Sequence, residues 1–104
     1  MIDEATIEEA GRRISAAEPL ARVILFGSHA RGEGDSGSDL DLLVIEPEVE
    51  DVAEESVRLH RTLRDLGVAA DVVVIEEGVA QRRALVAGTM VERALREGRI
   101  LVEP

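Results

Sequence analysis

The chain has 104 residues, 45% of them hydrophobic, with one aromatic residue, no cysteine and a net charge of −10; all twelve basic residues are arginine. That length supports one domain, residues 1–104, with a single core. The missing cysteine excludes a disulfide framework or thiolate metal site, and the acidic balance with almost no aromatics argues against gripping a long nucleic acid. No apolar run reaches the length of a membrane span and the N-terminus is acidic rather than a signal sequence, so a cytoplasmic setting is the default.

Residues 3–17 read as a helix, capped by Asp3, with Ile7, Ala10, Gly11 and Ile14 on one face. After Pro19 an apolar run predicts a strand over 21–26. A turn and short helix over 28–31 follow, then a polar, flexible spacer from Glu33 to Ser38. A second strand covers 39–45 and stops near Pro47. The acidic run Glu46, Glu48, Glu50, Asp51, Glu54 and Glu55 leads into a helix over 49–66 and reads as a solvated helix N-terminus rather than a cation site. Val52, Ser56, Leu59, Leu63 and Leu66 form the apolar stripe of that helix, and Gly67 suits its C-terminal end. A third strand spans 69–75. Residues 79–97 are helical in composition, broken at Gly88 and stopped by Gly98, and 99–102 form a short edge strand or an extended tail.

The chemistry concentrates in Gly27-Ser28-His29-Ala30-Arg31-Gly32 and in Ser38-Asp39-Leu40-Asp41-Leu42, between two apolar strands. Asp39 and Asp41 are two apart at a strand start, so both project from one face with Cα atoms about 6.5–7 Å apart. Carboxylates set that way can converge on one or two hard cations. A glycine directly after a strand permits a sharp turn and brings the main chain close to a ligand, and N–H groups just beyond it favour an anion such as phosphate. The Ser28 hydroxyl adds a donor. Arg31 is placed to contact phosphates or a partner, with a salt bridge to Asp35 or Asp39 as an equal alternative. His29 is at best a neighbour of a ligand, and His60 a surface or half-buried helix residue.

These same residues, from Gly27 through Val44, resemble the signature of the minimal nucleotidyltransferases, small members of the DNA polymerase β-like nucleotidyltransferase superfamily. The resemblance covers nearly the whole chain, and it implies a third carboxylate from the next strand, for which Asp71 in Val68–Ile75 is the matching candidate. If Asp71 joins Asp39 and Asp41, the second and third strands start together and run parallel through a right-handed helical crossover. The first strand, ending where the second begins, is then antiparallel to it. The expected fold is α/β (α+β), a small mixed sheet flanked by helices. A buried third strand would tolerate Asp71 poorly without a partner or cation; capping a local turn at the strand edge is its alternative role.

The resemblance further implies an active nucleotidyltransferase that uses ATP and two Mg²⁺ ions. Asp39, Asp41 and Asp71 would be catalytic and metal-binding residues, and Gly27, Ser28 and Arg31 nucleotide-binding ones. Minimal nucleotidyltransferases commonly pair as antitoxins with HEPN-domain ribonuclease toxins and transfer AMP to a toxin tyrosine. This chain has no tyrosine of its own and leaves no room for an acceptor domain, so the acceptor is expected in trans. Two other readings stand beside it: a non-catalytic antitoxin or binding module, and a small-molecule nucleotidyltransferase whose acceptor pocket needs a homo-oligomer or another chain.

Overall fold

The computed structural model describes residues 2–35 and 37–104; Ser36, within the expected flexible spacer, lies outside the described residues. Four strands, β1 (Arg22–Phe26), β2 (Leu40–Glu46), β3 (Ala70–Glu76) and β4 (Arg99–Val102), form one sheet in the order β3-β2-β1-β4. β1 pairs antiparallel with β2 and with β4, whereas β2 and β3 run parallel. The mixed sheet expected from the convergence of the three aspartates is therefore present, and residues 99–102 are an edge strand rather than a tail.

Helices cover both faces of the sheet. α1 (Glu4–Ala17) begins at Asp3, whose carboxylate accepts the Thr6 N–H at 2.9 Å, and it buries the expected stripe of Ile7, Ala10, Gly11 and Ile14. This stripe packs with Val23, Leu25, Leu42 and Val44 of the sheet and with Leu59 of α2 (Val52–Arg61). Alternation along the strands sends the odd-numbered residues Leu43, Ile45 and Ile75 to the opposite face. There they meet Ala80 of α3 (Glu77–Ala84) and Val91 and Ala94 of α4 (Met90–Glu97).

The helix expected over 49–66 is shorter than the sequence pattern suggests. Asp51 caps it by accepting the Glu54 N–H, the α-helix ends at Arg61, and a 3-10 turn follows over Arg64–Leu66. Leu59 and Leu63 are buried as expected, but Val52, the first residue of the helix, is 45% exposed. Gly67 ends the 3-10 turn with φ +75°. The break expected at Gly88 is the connection between α3 and α4, where Gly88 takes φ +87°.

Candidate active site

β2 starts at Leu40, so Asp39 precedes the strand and Asp41 is its second residue. The parallel register sets Asp41 beside Asp71. Register partners in neighbouring strands project to the same side, and Asp39, two positions earlier, joins them. That side is the one covered by α3 and α4. From the other neighbour, Phe26 of β1 pairs with Asp41, which brings the residue after Phe26 against the same carboxylate.

That residue has two reasons to be glycine. Gly27 has φ +73°, a left-handed conformation that an L side chain adopts only with strain. A Cβ on it would also overlap the Asp41 carboxylate. The chain then folds back through hydrogen bonds from Arg31 N to Gly27 O, 3.3 Å, and from Glu33 N to Ser28 O, 2.9 Å. Residues 28–32 are thus a pair of tight turns and not the short helix expected there. Among the described turn and loop bonds, none uses the N–H of Ser28, His29 or Ala30, which is the donor arrangement an anion seeks.

Asp41 is the half-buried member of the three aspartates; Asp39 and Asp71 are exposed. Burial pushes the Asp41 carboxyl above its ordinary range, the charges of Asp71 and then Asp39 push it the same way, and His29 and Arg31 oppose them. Burial and like charge thus both act against the ionised form of Asp41, and the nearby His29 and Arg31 do not offset them. All donors are carboxylate oxygens, the ligand type of Mg²⁺, so the residue set fits the metal that the fold implies. The three aspartates share a face without being gathered tightly: among the described residues only Glu18, Glu46 and Glu55 bring three candidate ligand atoms within 4.8 Å of one another.

Two expectations about individual residues need correction. Arg31 pairs with neither Asp35 nor Asp39; its Nε lies 3.4 Å from Glu33 Oε1, because the turn closed by Glu33 N brings positions 31 and 33 together. Asp35 is taken up instead by the Gly37 N–H at 2.9 Å and the Ser38 hydroxyl at 3.2 Å. β3 is an edge strand with Asp71 exposed, so the penalty expected for an aspartate in a buried strand does not arise. No described hydrogen bond uses the Asp71 carboxylate to cap a local turn, and His60 lies at the surface with Nε2 3.1 Å from Ala70 O.

His29 has a structural task that the sequence did not disclose. Its Nε2 is 3.1 Å from Ser38 O, and its ring lies against Gly34 so closely that a Cβ there would run into it. The imidazole thus braces the loop that delivers Asp39. A cavity of about 600 Å³ opens beside Gly27, Ser28 and Asp41, and its far wall is Met90, Arg93 and Glu97 of α4. Those three are spaced i, i+3, i+7, one helical stripe; that periodicity was the available signal for them.

A mixed sheet with paired acidic strand starts opposite a Gly-Ser turn defines the nucleotidyltransferase type of fold and site. The nucleotidyltransferase domain family profile matches residues 7–102, and the chain belongs to that family. No curated protein matches the sequence. Among solved structures, a Sulfolobus solfataricus protein assigned as a nucleotidyltransferase is 22% identical with TM-score 0.62, over 92% of this chain and 76% of that one. A toxin–antitoxin complex, MntA–HpeT, carrying two aspartate-to-glutamate substitutions, is 20% identical with TM-score 0.64, over 99% and 75%. A tri-AMPylated Shewanella oneidensis HEPN toxin in complex with its MNT antitoxin is 16% identical with TM-score 0.55, over 99% and 74%. The fold expected from the minimal nucleotidyltransferase signature is thus the fold found. No helix among the described residues is long and apolar enough to cross a membrane.

Proposed function

We propose that this chain is an antitoxin that transfers AMP from ATP to a hydroxyl, a tyrosine by expectation, on a HEPN-type toxin partner. The observation that carries this reading is the placement of Asp41 between Asp71 on one side and the positive-φ Gly27 turn on the other. The absence of tyrosine from the chain and the AMPylated HEPN toxin in a complex of similar fold support an acceptor in trans.

In this reading Asp39, Asp41 and Asp71 would hold two Mg²⁺ ions. When bound, the metal would supply neutralisation of triphosphate charge and polarisation of the α-phosphoryl group. The N–H groups after Gly27 and the Ser28 hydroxyl bind the β- and γ-phosphates, and Arg31 and Arg93 add positive charge along the cavity wall. Asp71, exposed at the sheet edge, faces the side from which a bulky acceptor arrives. It orients the attacking hydroxyl and takes its proton. The acceptor oxygen forms a bond to the α-phosphorus, the bond to the bridging oxygen breaks, and pyrophosphate leaves. Leu85, 87% exposed, and Val86, 55% exposed, sit on the connection that carries Gly88 to the cavity, an apolar surface where the acceptor protein would rest.

The test is intact-mass measurement of the co-expressed partner incubated with this protein, ATP and Mg²⁺. A mass gain of one or more AMP units, lost with Asp39→Asn/Asp41→Asn while the complex still forms, supports transfer. Neutralisation of the partner by the double variant with no mass change in either case would replace it with contact-only inhibition.

A further inference from the structure

A second acidic group lies at the other end of β2, on the face covered by α1 and α2. It comprises Glu46, the last residue of β2; Glu18, directly after α1; and Glu55 in α2. Each offers a carboxylate oxygen within 4.8 Å of the other two. The run containing Glu46 and Glu55 reads in the sequence as a solvated helix start, and for Asp51 and Glu54 it is one. Glu46 departs from that reading because strand alternation turns it inward: it is 3% exposed, and its Oε2 is buried with no hydrogen-bond partner.

One arginine serves the group, and it does not reach Glu46. Arg58 donates from Nε to Glu55 Oε1 at 2.6 Å and from Nη2 to Glu55 Oε2 and Glu18 Oε2, each at 2.9 Å. Its Nη1 donates to Ala17 O at 3.1 Å. Three carboxylates therefore meet one guanidinium, and the carboxylate with least access to water receives none of its N–H groups. A buried polar atom without a partner costs folding free energy, and more if it is charged. The cluster opens on a groove of about 790 Å³, so water and small ions can reach it from outside.

We infer that Glu18, Glu46 and Glu55 form a binding site for a hydrated divalent cation of the Ca²⁺, Mg²⁺ or Mn²⁺ class, separate from the aspartate site. The donor set is oxygen only, as hard cations require, and three protein ligands leave coordination positions for water from the groove. Arg58 already engages Glu18 and Glu55, so an ion that reaches Glu46 Oε2 satisfies the atom left without a hydrogen-bond partner. Such an ion ties the end of β2 to α1 and α2. The competing occupant is a proton shared between Glu46 and Glu55.

The experiment uses the full chain with Asp39→Asn/Asp41→Asn, so that the aspartate site does not contribute, and Mn²⁺ as the probe. Electron paramagnetic resonance should count one bound Mn²⁺ per chain, and the further change Glu46→Gln should remove it. Paramagnetic broadening of amide resonances in the unmutated chain should include residues near 18, 46 and 55, which tests the site even if a variant misfolds. No Mn²⁺ bound in the aspartate variant, or a bound ion that survives Glu46→Gln and broadens signals elsewhere, overturns the inference and leaves the shared proton as the occupant.

Discussion

The two acidic groups at the ends of β2 handle the same kind of charge in opposite ways. Near Asp41 the carboxylates are spread over two strand starts, two of the three are exposed, and the opposing groups are the turn after Gly27, His29 and Arg31. At Glu46 the carboxylates are drawn together, the central one is withdrawn from water, and one arginine grips the outer two. The first arrangement leaves oxygens free for something that must come and go. The second favours an occupant that stays, or a proton. The contrast teaches that an acidic run in a sequence says little about role until burial and counter-charge are known.

The largest expected effect separates the two regions by chemistry. Asp39→Asn/Asp41→Asn should lower the rate of AMP transfer by about 10³-fold or more, since metal-assisted charge stabilisation is worth several kcal/mol. Circular dichroism should show the fold retained, because removing repulsive charges from a partly exposed corner does not uncover the core. A double variant with near-normal transfer would break the assignment of the aspartate site. Gly27→Ala comes next. The left-handed backbone alone costs about 1–2 kcal/mol, and the overlap with Asp41 adds to it, so both urea midpoint and transfer rate should fall. A variant that loses neither would mean that the turn relaxes freely and does not fix the carboxylate.

The pH dependence of stability sharpens the other side. Burial, then the contact with Glu55, push the Glu46 carboxyl up to about 8 from an ordinary 4.5, against the pull of Arg58. Because the folded state holds this proton more tightly than the unfolded state, it contributes stability that is fully present below about 4.5 and lost as pH rises through about 8. In chelator-treated protein, urea unfolding across that range should therefore show a decline that Glu46→Gln flattens. At pH 8.5 the Gln variant should be the more stable by about 1–3 kcal/mol. Matching curves for the two proteins would show that the charge is already compensated. The smallest effect is expected of His29→Ala, which removes one loop hydrogen bond and the packing on Gly34. Stability should drop by about 1 kcal/mol, and the KM for ATP should rise more than kcat falls, because the brace positions Asp39 rather than reacting.

Much of this fold was legible because chemistry constrained topology. If Asp39, Asp41 and Asp71 meet, β2 and β3 must start together, and parallel pairing follows; the register of Asp41 with Asp71 bears that out. The stripe of Ile7, Ala10 and Ile14 and the glycines at 27, 67 and 88 marked elements through periodicity and backbone freedom, which are local properties. What escaped was set by neighbours distant in the chain. The exposure of Asp71 depends on β3 lying at the sheet edge. The burial of Glu46 depends on Glu18 and α2 closing over the end of β2. Arg31 turned to Glu33 through a local turn, closed by Glu33 N on Ser28 O, that the composition of the loop did not reveal, whereas Arg93 entered the cavity wall only through the packing of α4 against β1.

β2 is seven residues long and carries Asp41 near one end and Glu46 at the other, on opposite faces, separated by about 17 Å at about 3.3 Å per residue. An odd number separates them, so a slip of one position relative to β1 and β3 would exchange their sides together, sending the aspartate into the oily layer under α1 and the glutamate out under α3. A one-residue insertion or deletion between the two acids acts differently: it makes their spacing even and turns both to one side, so the strand can then hold one end in place only at the expense of the other.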